Sequence, residues 1–196
     1  MKDYARVQVA SRRAWREWLR EHHTQGESIW LVVFRKHHAK HLSYDAIVEE
    51  ALCYGWIDSL PRALDDDRTM LLLSPRKAKS PWSRANKQRI DAMIRKKLMR
   101  APGKAKIETA KADGSWTLLD DVENLIEPPD LKRALDRTPA ARKSWTKFAP
   151  SSKKGILWWI KSAKRTETRA RRIRETARLA AMGLRANFPE AREIGL

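Results

Sequence analysis

Three stretches of the chain carry residue types able to recognise or transform a ligand. The first is Leu52-Cys53-Tyr54-Gly55-Trp56-Ile57-Asp58-Ser59. A glycine between a helical and an extended pattern allows a sharp reversal, and strand alternation then sets Trp56 and Asp58 on one face. A carboxylate beside a tryptophan on a mostly apolar sheet must be paired or must serve a ligand. Arg76 is the obvious partner, and both readings hold together if the pair lines a cleft. An acid–base role for Asp58 would instead make that cleft an enzyme's.

The second stretch is Ser74-Pro75-Arg76-Lys77-Ala78-Lys79-Ser80-Pro81-Trp82-Ser83-Arg84-Ala85-Asn86. Its two prolines keep it extended, and Ser83 can cap the helix that follows. A helix N-terminus flanked by Arg76, Lys79 and Arg84 suits an anion. Trp82 either stacks a base or staples the helix to the core. The third stretch runs from Ser162 to Arg174. At helical spacing Arg165, Arg169 and Arg172 share one face, while Arg171, Arg174 and Arg178 share another. One row can turn inward toward Asp58 or Glu49, and guanidinium forks suit phosphate or carboxylate better than lysine does. The alternative is a solvated helix with a few ion pairs of little consequence.

His37, His38 and His41 follow a predicted strand with only Asp45 as a nearby acid, so a solvated loop is favoured over a metal site. His22-His23 suits a helix C-terminus. Cys53, the lone cysteine, sits among apolar neighbours as an inert core thiol and cannot form an internal disulfide. The sequence holds no glycine-rich phosphate loop, nucleophile elbow, zinc spacing or RNA-recognition motif, and no cofactor is implied.

These residues need elements to position them. Ser11 caps a predicted helix to about His23, with Trp15, Trp18 and Leu19 as its apolar stripe. Residues 29–34 read as a strand covered on both faces, and Ser43 opens a helix that Gly55 stops. Strands follow over 56–60 and 69–73, with Asp65-Asp66-Asp67 at the turn. From Ser83 the pattern is helical, with Ile90, Ile94 and Leu98 predicted on one face and Pro102-Gly103 as a break before 104–111. Short helices are expected over 131–135, 140–148 and 153–163, and a last one over 166–182 that buries Ala170, Ile173, Ala177 and Ala180. The tail after Asn187 is expected to be loosely held. The fold class is therefore α+β: a small antiparallel sheet of about three strands with packed helices, then a helical C-terminal half. The expected organisation is a sheet-containing region over 1–112, an acidic connecting loop over 113–130 that passes Trp116 through the core, and a helical region over 131–196, all one structural unit.

The 196 residues hold 42 Lys+Arg against 24 Asp+Glu, a net charge of +18. Residues 1–73 are neutral, 74–111 carry +11, 112–131 carry −6 and 132–196 carry +13. Such a field attracts phosphates, nucleic acid or anionic lipid. Nine tryptophans and 42% apolar residues demand a core and exclude disorder. No run approaches the roughly 18 apolar residues of a membrane span. The first ten residues lack an apolar signal core, so a reducing cytoplasm is the expected location.

At the three stretches the chain resembles the YdeI/OmpD-associated, or bacteriocin-protection, family. The matching residues are Ala51 to Asp58, then Ser74-Pro75-Arg76 with Ser80 and Trp82 to Asn86, and finally Ser162 to Arg165 with Glu167 to Ile173. The resemblance runs from about Ser11 to Met182; Ser59 stands where a glycine is usual and Thr166 where a proline is. It implies resistance to bacteriocins or cationic peptides and an outer-membrane porin partner, with no reaction attached. A chain of charge +18 repels cationic peptides, so any protection is expected to be indirect. The leading expectation is a non-enzymatic cytoplasmic stress-protection protein with an anion-binding cleft. Asp58 orients the arginines, Arg76, Lys79, Arg165, Arg169 and Arg172 hold a phosphate or carboxylate, Trp56 and Trp82 wall the cleft, and Asn86 joins them. A sequence-tolerant nucleic-acid binder is the alternative.

Overall fold

Residues 4–189 are described in the computed structural model of the chain, and they divide into two compact units between Leu118 and Leu119. The first unit runs β1 (Arg6–Gln8), α1 (Arg12–His22), β2 (Ile29–Phe34), α2 (Tyr44–Cys53), β3 (Trp56–Ala63), β4 (Arg68–Pro75), α3 (Arg84–Arg95) and α4 (Ala101–Ala112). Three of its helices start where a serine side chain meets an otherwise unpaired N–H. Ser11, Ser43 and Ser83 Oγ accept from Ala14, Ala46 and Asn86 N–H at 3.1, 3.2 and 3.3 Å. Such caps contribute ~1 kcal/mol each.

The strands form one mixed sheet in the order β1-β2-β4-β3. β2 pairs antiparallel with β4, Leu31 opposite Leu71, and parallel with β1, Val7 opposite Leu31. The α+β class is thus the one the sequence indicates, with one strand more than expected: β1 has three residues, too few for alternation to show. β2 is buried on both faces, as its unbroken apolar run requires. Ile29, Leu31 and Val33 join Leu71, Leu73, Trp15, Leu19 and Trp56 in the main core, whereas Trp30, Val32 and Met70 cluster on the opposite face with Tyr4, Leu64 and Leu72. β3 lies at the sheet edge, where the register shifts between Asp58 and Pro61 and the proline costs no ladder bond.

Two expectations for the helices change. On α3 the buried positions are Ile90 and Met93, while Ile94 is half exposed, because the inward stripe follows i, i+3 here. Pro102-Gly103 does not interrupt a helix but lies in the first turn of α4, where a missing N–H costs nothing. Gly103 is also what allows α4 to approach the end of α2: a Cβ there would sit 2.4 Å from the Cys53 carbonyl oxygen and 2.6 Å from that of Leu52.

The second unit is helical: α5 (Asp120–Glu123), α6 (Pro129–Asp136), α7 (Pro139–Lys147), α8 (Pro150–Lys161) and α9 (Thr166–Ala181). A single helical turn, α5, therefore lies inside the segment expected as loop. Prolines open α6, α7 and α8, which sets the helix starts. The core is Leu131, Leu135, Trp145, Ile156, Leu157, Ile160, Ile173 and Leu179 with small residues between. α9 buries Ile173, Thr176, Leu179 and Ala180, and Gly183 at φ +77° ends it. Of the tail expected to be loose, Phe188 packs against this core; residues 190–196 lie outside the described ones.

Candidate functional site

In the first unit, strand β3 and helices α2 and α3 bring Asp58, Tyr44, Arg89 and Asn86 together. Asp58 Oδ2 accepts the Tyr44 hydroxyl at 2.7 Å. The Arg89 guanidinium lies 5.5 Å from the Tyr44 ring centre and donates to Asp45 Oδ1 at 2.7 Å and to Asn86 Oδ1 at 2.9 Å. Burial first, and then the bond to Asp58, push the Tyr44 hydroxyl up to about 12. Tyr44 and Arg89 are site residues that sequence reasoning missed. Their signal was faint: each is one helical position whose meaning depends on what packs opposite.

The partner expected for Asp58 was Arg76. Among the described residues no hydrogen bond or ion pair joins them, and Tyr44 takes that place. Arg76 is 3% exposed, the one basic residue buried among the described residues. It donates through Nη2 to the Pro81 carbonyl and stacks 3.5 Å above the Trp82 ring centre. Burial lowers it to about 10, and the more distant charge of Asp58 opposes that shift. Trp82 is itself buried, 5.2 Å from the Trp116 ring, so it is positioned as a staple. Lys79 occupies a left-handed turn at φ +61°, its side chain exposed and its backbone N–H bonded to Asp113 Oδ2 at 2.8 Å. Trp56 is fully buried and donates from its indole to the His23 carbonyl at 3.1 Å.

Two arginines of the α9 row, Arg169 and Arg172, find partners within the second unit. Arg169 makes a two-pronged pair with Asp130 at 2.8 and 2.9 Å, which holds the Asp130 carboxyl below its usual range. Arg172 turns toward α8 instead. It donates to the Trp159 carbonyl and to Ser162 Oγ, with its guanidinium 5.0 Å from the Trp159 ring centre. Arg165 is exposed at the start of α9. The expected pairings of this row with Asp58 or Glu49 are therefore replaced: Glu49 binds Arg12 at 2.8 Å.

A groove of about 390 Å³ lies between α6 and α9. Asp130, Arg133, Ala134 and Arg137 line one side at i, i+3, i+4 and i+7; Thr166, Arg169, Ala170, Ile173 and Arg174 line the other at the same spacing plus one. The small alanines sit midway along each stripe, and Asp130 is already committed to Arg169. Arg133, Arg137 and Arg174 are exposed. The repeated stripe is the signal that could have disclosed the groove from sequence.

The histidines after β2 are engaged separately: His37 Nε2 lies 3.0 Å from Asp67 Oδ1, His38 stacks on Phe34, and His41 Nδ1 lies 2.8 Å from the Phe34 carbonyl oxygen. Among the described residues no group of three or more His, Cys, Asp or Glu is arranged to hold a metal, and no helix is long and apolar enough to cross a membrane.

A mixed sheet with packed helices, joined in sequence to a helical unit with an arginine groove, defines a two-part α+β protein. Over residues 7–106 the chain matches, and belongs to, the family described as a domain of unknown function, DUF8412. Over residues 124–183 it matches the family described as Bacteriocin-protection, YdeI or OmpD-Associated. That second match is shorter than the expected span from Ser11 to Met182. The stretches at 51–58 and 74–86 fall in the first match, and the stretch at 162–173 falls in the second. No curated protein and no solved structure matches the chain significantly.

Proposed function

We propose that the chain is a non-enzymatic, cytoplasmic protection protein that holds a phosphate- or carboxylate-bearing ligand in the arginine groove between α6 and α9. The carrying observation is that groove: four guanidiniums face it, and its one carboxylate, Asp130, is committed to Arg169. Every lining residue falls within the bacteriocin-protection match. Arg169 is fixed by its two-pronged pair and serves as the preorganised donor, while Arg133, Arg137 and Arg174 supply mobile forks that close on an oxyanion. The apolar floor of Ala134, Ala170 and Ile173 accepts the ligand's carbon skeleton. The bond that Asp58 accepts from the Tyr44 hydroxyl supports an orienting role over proton transfer. With a net charge of +18 the protein repels cationic peptides, so protection acts through an anionic metabolite or cell component.

Isothermal titration calorimetry with inorganic phosphate and a small phosphate ester tests this reading. A charge-assisted hydrogen bond contributes about 1.5–3 kcal/mol, so Arg133→Ala and Arg174→Ala should each weaken binding by roughly tenfold or more with the melting temperature unchanged. Arg169→Ala should weaken binding similarly and also cost up to ~1 kcal/mol of stability. Absence of binding at millimolar ligand, or binding indifferent to all three substitutions, overturns the proposal.

A further inference from the structure

Among the described residues of the first unit, the two buried charges are met unequally. Glu50 is 1% exposed and is met by two guanidiniums, Arg12 Nε at 2.6 Å on one oxygen and Arg16 Nη1 on the other. Arg76, 3% exposed, has no carboxylate in ion-pair contact among the described residues, and its Nε is buried without a hydrogen-bond partner. An uncompensated buried charge is among the most costly features a fold can hold.

Arg76 lines a small cavity of about 10 Å³, room for a single small guest. Lys77, Lys79 and Lys106 border the same cavity, and so does Ser115, whose buried hydroxyl faces the Asp113 carboxylate and helps hold that group below its usual range. The one acid in the lining is Asp113. Its oxygens accept the backbone N–H groups of Lys79 at 2.8 Å and Ser115 at 2.9 Å. Those bonds fix the left-handed turn at Lys79 that borders the cavity. Four cations against one already bonded carboxylate give the cavity a strongly positive potential.

We propose that this cavity binds a single monovalent anion of halide size, which supplies a close countercharge for Arg76. A neutral water satisfies Nε but adds no countercharge to the distant Asp58 and the Trp82 ring; a phosphate or carboxylate is too large for the volume. The site lies wholly in the first unit and is independent of the α6/α9 groove.

Two measurements on the full chain test it. Crystals grown in bromide and measured at its absorption edge should show an anomalous peak beside Arg76 Nε; a peak absent there overturns the proposal. In solution, replacing chloride by bulky gluconate at constant ionic strength should lower the unfolding midpoint by several degrees. That dependence should fall in Arg76→Met to the part that general anion effects on a cationic surface produce. An equal midpoint in both salts for the unsubstituted chain, or a dependence unchanged in Arg76→Met, overturns it. Should Arg76→Met not fold, the bromide peak decides the matter.

Discussion

Tyr44 shows how one side chain takes on a role through its neighbours. It is half exposed, yet its hydroxyl is bonded to Asp58 and its ring lies beside Arg89, so its ionisation is pushed up to about 12. A pKa raised above its unfolded value near 10 means the neutral form is favoured by folding. The associated stabilisation is complete below about pH 10 and disappears as pH rises from 10 to 12. An ultraviolet titration should therefore show one of the three tyrosines ionising late, with Tyr44→Phe removing that step. Asp58→Asn should bring it down only partway, since burial is the larger cause. If all tyrosines ionise together near pH 10, the Tyr44–Asp58 bond does not exist in solution. Cys53 is a simpler case at this scale, with burial pushing its thiol up to about 11, consistent with an inert core residue.

Among the elements, the junction of α2 with α4 is the least forgiving. Gly55, at φ +79°, turns the chain out of α2, and Gly103 lets the first turn of α4 lie against the last carbonyls of that helix. Replacing a helical glycine by alanine ordinarily stabilises by about 1 kcal/mol. Here the backbone contacts at 2.4 and 2.6 Å reverse the sign. Gly103→Ala should destabilise the protein by about 1–3 kcal/mol, read from the midpoint of urea unfolding with an unchanged slope. A neutral or stabilising result would show that α4 is free to move away from α2. The acidic segment between the basic blocks also gains a meaning at this scale. Asp121 pairs with Lys161 and Glu123 with Lys154, each at 2.6 Å, and Glu127 with Arg142 at 2.9 Å. Glu127 also accepts the Trp145 indole N–H at 2.7 Å. The run that looked like a connecting loop is therefore the counter-charge of α7, α8 and α9.

For the whole molecule, the net charge of +18 makes nucleic acid a proposed competitor for the same arginines. Fluorescence anisotropy of labelled single- and double-stranded oligonucleotides at two salt concentrations separates the two ligand classes. Attraction by overall charge alone falls steeply with salt, because each phosphate contact releases counterions. The small-ligand reading expects oligonucleotide affinity to be lost near physiological salt while phosphate-ester binding persists. Oligonucleotide binding that survives physiological salt and depends on Arg133 and Arg174 would make nucleic acid the working ligand of the groove.

Most helices, the three serine caps, β2 to β4 and the α+β class were legible in the sequence, because caps, breakers and periodicity act within three or four residues. The site was less legible: of the residues expected to hold the ligand only Arg169 lines the α6/α9 groove, while Trp56, Arg76 and Trp82 are buried in the first unit. Partner choice was not legible. Arg169 meets Asp130, thirty-nine residues away, Arg172 folds back on Trp159, and Arg76 sinks beside Trp82 without the carboxylate expected for it. Three residues of β1 become a strand only because the edge of β2 is there to receive them. An arginine can reach several acids with similar local cost, so helix packing selects among them, and that selection exists only in the tertiary structure.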